Sequence, residues 1–277
     1  MKPQEIIKST GEIVAFQKEK LQLSLQNVGA TEAQIQKILK KVRNDYKNGM
    51  KTKDVFKIAF QHLCKHQNEV ACKYKLKAAL MELGPTGFPF EQLIAEIFKR
   101  SGFQTKTGIR MPGLCITHEI DVFAETTEEI KLVECKFKAN EGNHCDVKVP
   151  LYIHSRFRDI ETVMQADPQY QNRHFSGGIA TNTKFTEDAI LYGVCAGLQL
   201  IGWDYPKQKG LKTIIETNRL YPVTCLNTLT TAEKQKLISL NTIFCRQILQ
   251  NTAILKELAV NKQRFEEILK ECESVIQ

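Results

Sequence analysis

No apolar run in the 277 residues approaches the eighteen or more that a membrane-spanning helix needs, so no membrane association is expected. The start, MKPQEIIKSTGEI, lacks the continuous apolar stretch of a secretory signal and carries Glu5 and Glu12 instead. Nine cysteines are an odd number, scattered along the chain. With no export signal they read as reduced thiols of a cytoplasmic protein rather than as a disulfide framework. Internal repeats and low-complexity tracts are missing too, which removes solenoid and linker-like architectures. What is present is an ordinary globular composition, 42% apolar and 25% charged, in a chain long enough for two or three domains. Its net charge of +8 is uneven: residues 1–84 hold 16 Lys and Arg against 8 Asp and Glu, and residues 85–277 hold 23 of each. A positive field confined to the first third attracts polyanions, either nucleotide phosphates or nucleic acid.

Punctuation divides the chain into three segments. Ile6 to Lys8, a turn at Ser9-Thr10-Gly11 and Ile13 to Phe16 read as a short hairpin. Three helical stretches follow: Leu21, Leu25 and Val28 before Gly29; a Thr31/Gln34 capping box ahead of Ile35, Ile38, Leu39 and Val42; and Val55 to Leu63, with Thr52 placed as its cap. A fourth, Val70 to Leu83, ends at Gly84-Pro85-Thr86-Gly87, the clearest boundary in the sequence. The second segment opens with a helix, Phe90 to Arg100. Strands are expected at Ile120–Ala124 and Ile130–Phe137, a helix over Leu151–Met164, then strand, helix and strand at Gly178–Thr181, Thr186–Gly197 and Leu198–Trp203. Strand–helix–strand order implies a parallel pair in a mixed sheet. Beyond Tyr221 the pattern is helical, with a second capping box at Thr230/Glu233. The fold class is therefore α/β and multi-domain, with domains expected at 1–84, 88–216 and 219–277.

The chemistry concentrates in Glu119-Ile120-Asp121, then twelve residues, then Glu134-Cys135-Lys136. Alternation along a strand sends Glu134 and Lys136 to one face and Val133, Cys135 and Phe137 to the other, with about 3.4 Å of rise per residue. A tight hairpin can bring Asp121 beside Glu134. Two carboxylates so placed are reconciled by a divalent cation, and oxygen-only ligands suit Mg²⁺ or Mn²⁺ rather than Zn²⁺. Such a cation neutralises phosphate charge and activates water, while a neighbouring lysine steadies the transition state. By itself the spacing also fits an amphipathic hairpin whose Glu134 and Lys136 face water.

Over roughly residues 88–205 the segment resembles the Mrr-like restriction endonucleases of the PD-(D/E)xK nuclease superfamily. The matching pieces are Phe90-Glu91-Gln92-Leu93, Gly102-Phe103, Ile120-Asp121-Val122, Val133-Glu134-Cys135-Lys136, and the run from Gly178 to Asn182 with Lys184-Phe185-Thr186. The resemblance implies a Mg²⁺-dependent phosphodiesterase acting on DNA, with Asp121 and Glu134 as metal ligands, Lys136 as the catalytic lysine and Glu91 joining the metal site. Ile120 stands where many relatives carry proline, and Glu119 where many carry glycine.

Residues 3–84 resemble the ATP-cone, a regulatory nucleotide-binding domain, through Ile7-Lys8, Gly11, Phe16, Lys20-Leu21, Ser24-Leu25, Gly29-Ala30, Thr52 and Tyr74 to Ala79. That likeness implies ATP or dATP held by Lys8, Gly11, Lys20 and Thr52. Residues 219–277 resemble helix-hairpin-helix modules only loosely, since the hairpin Leu258-Ala259-Val260-Asn261 has no glycine. Weaker candidates are His62, Cys64 and His66 as zinc ligands, a solvent-facing His144-Cys145, and Lys148, His154, Arg156 and Arg158 as DNA phosphate contacts. The expectation is an ATP- or dATP-regulated DNA endonuclease, working as a homodimer or higher homo-oligomer. The alternative is a catalytically silent nucleotide- or DNA-sensing regulator.

Overall fold

The computed structural model describes residues 4–8, 11–47, 49–140 and 142–277. The chain divides into two compact units: residues up to Ala79 together with Tyr221–Gln277, and Leu80–Leu220. Where sequence punctuation separates three segments, the first and the last thus fold as one. Among the described residues no helix is long and apolar enough to cross a membrane.

The first unit begins with an antiparallel hairpin of β1 (Glu5–Ile7) and β2 (Ile13–Ala15), in which Ile7 pairs with Ile13. The turn expected at Ser9 and Thr10 lies outside the described residues. Next come α1 (Lys18–Gln26), α2 (Glu32–Asp45) and α3 (Thr52–His66). Gly29, at φ +87°, supplies the left-handed conformation that ends the first helical stretch. The Thr31 N–H donates to Gln34 Oε1 at 2.8 Å, as a capping box requires. Leu25, Ile35, Ile38, Ala59 and Leu63 are fully buried between these helices. Thr52 is not the cap of α3. Asp54 accepts the Lys51 N–H at 2.9 Å, and the Thr52 hydroxyl turns back to the Ile7 carbonyl at 3.3 Å. The expected fourth helix is two, α4 (Asn68–Tyr74) and α5 (Leu76–Met81), broken at Lys75.

The second unit carries the mixed sheet. Helix α6 (Phe88–Arg100) leads into β3 (Gln104–Pro112), β4 (Thr117–Glu125) and β5 (Glu129–Lys136), an antiparallel meander. A short β6 (His144–Cys145) and α7 (Lys148–Ala166) precede β7 (His174–Thr181), which pairs parallel with β5. Then come β8 (Lys184–Phe185), α8 (Glu187–Cys195), β9 (Gln199–Ile201) parallel to β7, and α9 (Leu211–Asn218). Strand order is β3-β4-β5-β7-β9, and β6 and β8 form a separate parallel pair. Ile130, Leu132 and Ile179 pack beneath Ile153, Phe157 and Ile160 of α7.

The chain then returns to the first unit with α10 (Thr231–Ser239), α11 (Cys245–Gln250) and α12 (Lys262–Ile276). Glu271 of α12 is only 4% exposed, and a carboxylate removed from water needs donors. It accepts from the backbone N–H groups of Asn227 and Thr228 at 2.9 Å, from Cys72 Sγ at 3.0 Å and from Asn68 Nδ2 at 2.5 Å. This one side chain ties both ends of the sequence together. The hairpin before α12 has Ala259 at φ +50°, the conformation glycine supplies more easily.

Candidate active site

Asp121 lies where the β3–β4 ladder skips one residue and the β4–β5 ladder ends. On one side Thr107 pairs with Val122 and Ile109 with Ile120, while Gly108 opposite Asp121 turns to φ +61°. On the other side the β4–β5 ladder stops at Val122–Val133, one step short of Glu134. The Cys135 N–H is bonded instead by the Asp121 side chain, to Oδ2 at 2.7 Å. A local break of this kind re-aims a side chain and opens the strand ends.

Alternation puts Glu134 and Lys136 on the same face as Ile130 and Leu132, toward α7. Phe137 goes to the opposite face, its ring 5.9 Å from Phe90 of α6. Both faces are covered, so Glu134 does not look into open water. It is 5% exposed and held by two cations: Lys136 Nζ donates to Oε1 at 2.5 Å and Arg156 Nη1 to Oε2 at 2.8 Å. Arg156 also donates through Nη2 to the Glu119 carbonyl, which fixes α7 to β4. Its Nε is buried without a partner among the described residues, an unusual cost for a charged group.

Negative charge accumulates around this point. Burial, then the neighbouring Glu134, pushes the Asp121 carboxyl up to about 6; the Cys135 N–H, Lys136 and Arg156 hold it back. Burial, then Asp121, Glu119 and Glu134, pushes Glu91 of α6 up to about 7. The structure therefore brings Asp121, Glu134 and Lys136 together and sets Glu91 within reach of their field. Among the described residues no three Asp, Glu, His or Cys side chains gather closely enough to hold a metal ion between them. Mg²⁺ does not require three, since it binds through one or two carboxylates and keeps waters or substrate phosphates in its remaining positions. Asp121 and Glu134 offer the hard oxygen donors that suit such an ion. For it to bind Glu134, Lys136 or Arg156 must give up an oxygen.

The weaker candidates separate. Arg156 faces the site, whereas Arg158 is exposed and paired with Glu161 at 2.8 Å. His154 Nδ1 lies 2.9 Å from the Tyr192 hydroxyl, and Lys148 is exposed at the start of α7. The His62 and His66 rings approach to 4.6 Å, but no metal-holding group forms around them or Cys64 among the described residues. His144-Cys145 is not a free loop: Cys145 is fully buried and both residues pair with β8. Two features escaped the sequence reading. One is Arg156 as the partner of Glu134. The other is His118, 8% exposed, with Nε2 2.7 Å from Asp159 Oδ2.

In the first unit Lys8, Lys20 and Thr52 line one cavity of about 450 Å³, with Phe16, Phe56 and Tyr74 on its apolar walls. The Phe56 and Tyr74 rings stack at 4.9 Å. Burial pushes the Tyr74 hydroxyl up to about 12 despite a bond to Ser24. Lys8 Nζ meets Glu12 at 2.8 Å in an exposed pair. Gly11, at φ +86°, is not part of the lining.

The family model described as AF1548-like, C-terminal, matches residues 221–276. An uncharacterised protein of Archaeoglobus fulgidus is 33% identical over 184 residues, covering 66% of this chain and 99% of that protein. The crystal structure of a protein of unknown function, AF1548, matches at TM-score 0.56 and 30% identity, over 69% of this chain and 98% of that one. The MspJI restriction endonuclease in complex with a 27-mer oligonucleotide matches at TM-score 0.25 and 12% identity, over 66% of this chain and 39% of that one, too slight a likeness to carry an argument. With 33% identity across almost the whole of the Archaeoglobus protein, this chain belongs to the AF1548-like family.

Proposed function

We propose that this chain is a divalent-cation-dependent DNA endonuclease, with Asp121, Glu134 and Lys136 at its reaction centre and ATP or dATP bound in the N-terminal cavity as regulator. The observation that carries the reading is the point where β4 parts from β5. There a carboxylate pushed up to about 6 sits beside a buried second carboxylate that two cations hold. A divalent cation bound by Asp121 and Glu134 would supply charge neutralisation at phosphate and an activated water. Cys135 fixes Asp121 through Oδ2. Lys136, on the strand beside Glu134, is placed to steady charge that develops on a phosphate oxygen, an effect worth most where the donor is already oriented. Arg156 orients Glu134 from α7. Cutting both strands of a duplex calls for two such centres, hence a homodimer.

The competing reading is a silent sensor that binds nucleotide or DNA without cutting. It is favoured by one observation: both oxygens of Glu134 are already satisfied by cations. Supercoiled plasmid incubated with the purified chain separates the two. The endonuclease nicks and linearises plasmid with Mg²⁺ or Mn²⁺ and not with chelator, and ATP or dATP changes the rate. A sensor leaves the plasmid supercoiled under every condition while still binding it. For the regulatory half, the support is the convergence of Lys8, Lys20 and Thr52 on one cavity with aromatic walls. Two ammonium groups suit a polyphosphate, and the rings suit a base.

A further inference from the structure

The four residues joining β3 to β4, Gly113 to Ile116, bury little of themselves yet are held with unusual care. The Gly113 N–H donates to the Ile116 carbonyl at 2.8 Å, and the Leu114 N–H to the Asp159 carbonyl of α7 at 3.1 Å. The Asp159 carboxylate accepts from the Cys115 N–H at 2.9 Å and from the Ile116 N–H at 3.5 Å. The same carboxylate meets His118 at 2.7 Å. Only glycine fits at the first position, because a Cβ there would collide with the Asp159 carboxylate and lie 2.7 Å from the Ile116 carbonyl. The product of this bracing is a stiff tip with Leu114 69% and Ile116 64% exposed. Exposed apolar residues are common singly. Two on one immobilised turn, whose ordering cost is met by a carboxylate–imidazole pair behind it, are a different matter.

The tip is continuous with the candidate active site. Asp159 lies one helical turn from Arg156, the partner of Glu134, and the same stripe of α7 runs back through Tyr152 to Lys148. Tyr152 is 59% exposed with the Arg156 guanidinium 5.4 Å from its ring centre. Lys148 and Arg110 on β3 are exposed and have no ion-pair partner among the described residues, which is the charge a phosphate backbone requires. Ile116 is five strand residues from Asp121, about 17 Å at roughly 3.4 Å per residue, or about five base steps along a strand of duplex.

We propose that Leu114 and Ile116 form an apolar prong that enters the base stack of bound DNA about five base pairs from the cut. The substrate class is then duplex with locally weakened stacking, such as a mispair or a bulge, rather than a particular base sequence. This rests on the DNA endonuclease reading of the neighbouring site. Apolar side chains inserted at a base step unstack it, and a step already weakened yields at lower cost.

The test uses the full chain in Ca²⁺ with a duplex carrying a mispaired 2-aminopurine, whose fluorescence rises on unstacking, and the matching paired duplex. Wild type is expected to raise the signal severalfold and to bind the mispaired duplex about tenfold or more tighter than the paired one, a difference of about 1.4 kcal/mol. The Leu114→Ser/Ile116→Ser double variant should still bind but lose both effects. Gly113→Ala, which keeps both apolar side chains but dislodges the turn, should lose them as well. Equal fluorescence from wild type and the double variant, equal wild-type affinity for the two duplexes, or no binding to either would overturn the prong. Cleavage in Mg²⁺ without unstacking removes the prong alone. Unstacking without cleavage keeps the prong and removes the endonuclease.

Discussion

The cation proposed at Asp121 and Glu134 should expel protons when it binds. Glu91 is pushed up to about 7 and Asp121 up to about 6, mainly by burial and then by the carboxylates around them. At pH 6.5 these positions leave Glu91 about three-quarters protonated and Asp121 about one-quarter, together about one proton. A divalent cation at Asp121 and Glu134 reverses the field that both groups feel, so binding should release that proton. At pH 8 the same groups hold only about a tenth of a proton, and the affinity for Mg²⁺ should be about fivefold higher than at pH 6.5. Calorimetric titration with Mg²⁺ in two buffers of different ionisation heat measures the release directly. Glu91→Gln then divides it, leaving about a quarter of a proton at pH 6.5 if the assignment holds. Mg²⁺ binding at pH 6.5 with no proton release, or with the affinity it has at pH 8, would refute the placement of the ion between these carboxylates.

The same shifts predict a stability trend for the metal-free protein. Carboxyls raised in the fold bind protons that the unfolded chain has released, so stability should fall as pH rises from about 4.5 to 7, a trend that thermal melts would read and added Mg²⁺ would flatten. Arg156→Met should destabilise by about 3 kcal/mol, the low end for breaking a buried ion pair because Lys136 stays with Glu134. At roughly 2–4 °C per kcal/mol that lowers the melting temperature by about 6–12 °C, and the Glu134→Gln/Arg156→Met double variant should lose less than the sum of the single ones. Lys8→Ala and Lys20→Ala should each weaken ATP and dATP binding by calorimetry and abolish any nucleotide effect on cleavage, which a coupling of about 1–3 kcal/mol would set at roughly 5- to 150-fold. Tight binding with unchanged cleavage would leave the cavity without a regulatory role.

What could be read in the sequence was what local chemistry dictates. The Thr31/Gln34 and Thr230/Glu233 boxes form because their partners lie three residues apart. The alternation in Val133 to Phe137 already puts Glu134 and Lys136 on one face, but it does not reveal that Ile130 and Leu132 bury that same face beneath α7. Strand β3 went unassigned because its first half, Gln104 to Gly108, holds no apolar residue to set a period. Thr52 gave a false cap because Asp54, the box residue, specifies Lys51 one position earlier. Arg156 meets Glu134 from 22 residues away, and Asp159 meets His118 from 41. No local rule encodes such pairs. The union of the chain's two ends rests on pairs such as the buried Glu271 and the half-buried Asn68, 203 residues apart, and on no composition signal at all.

The most direct measurement is the initial rate of plasmid nicking in Mg²⁺ by wild type against Lys136→Ala, with matched melting curves to show that both are folded. Losing one oriented charge at the transition state is expected to cost on the order of 10²–10³ in rate. Wild-type nicking that needs the cation and falls by that factor in the variant is the predicted result. Nicking by Lys136→Ala at the wild-type rate, or no nicking by wild type in either Mg²⁺ or Mn²⁺, would contradict it.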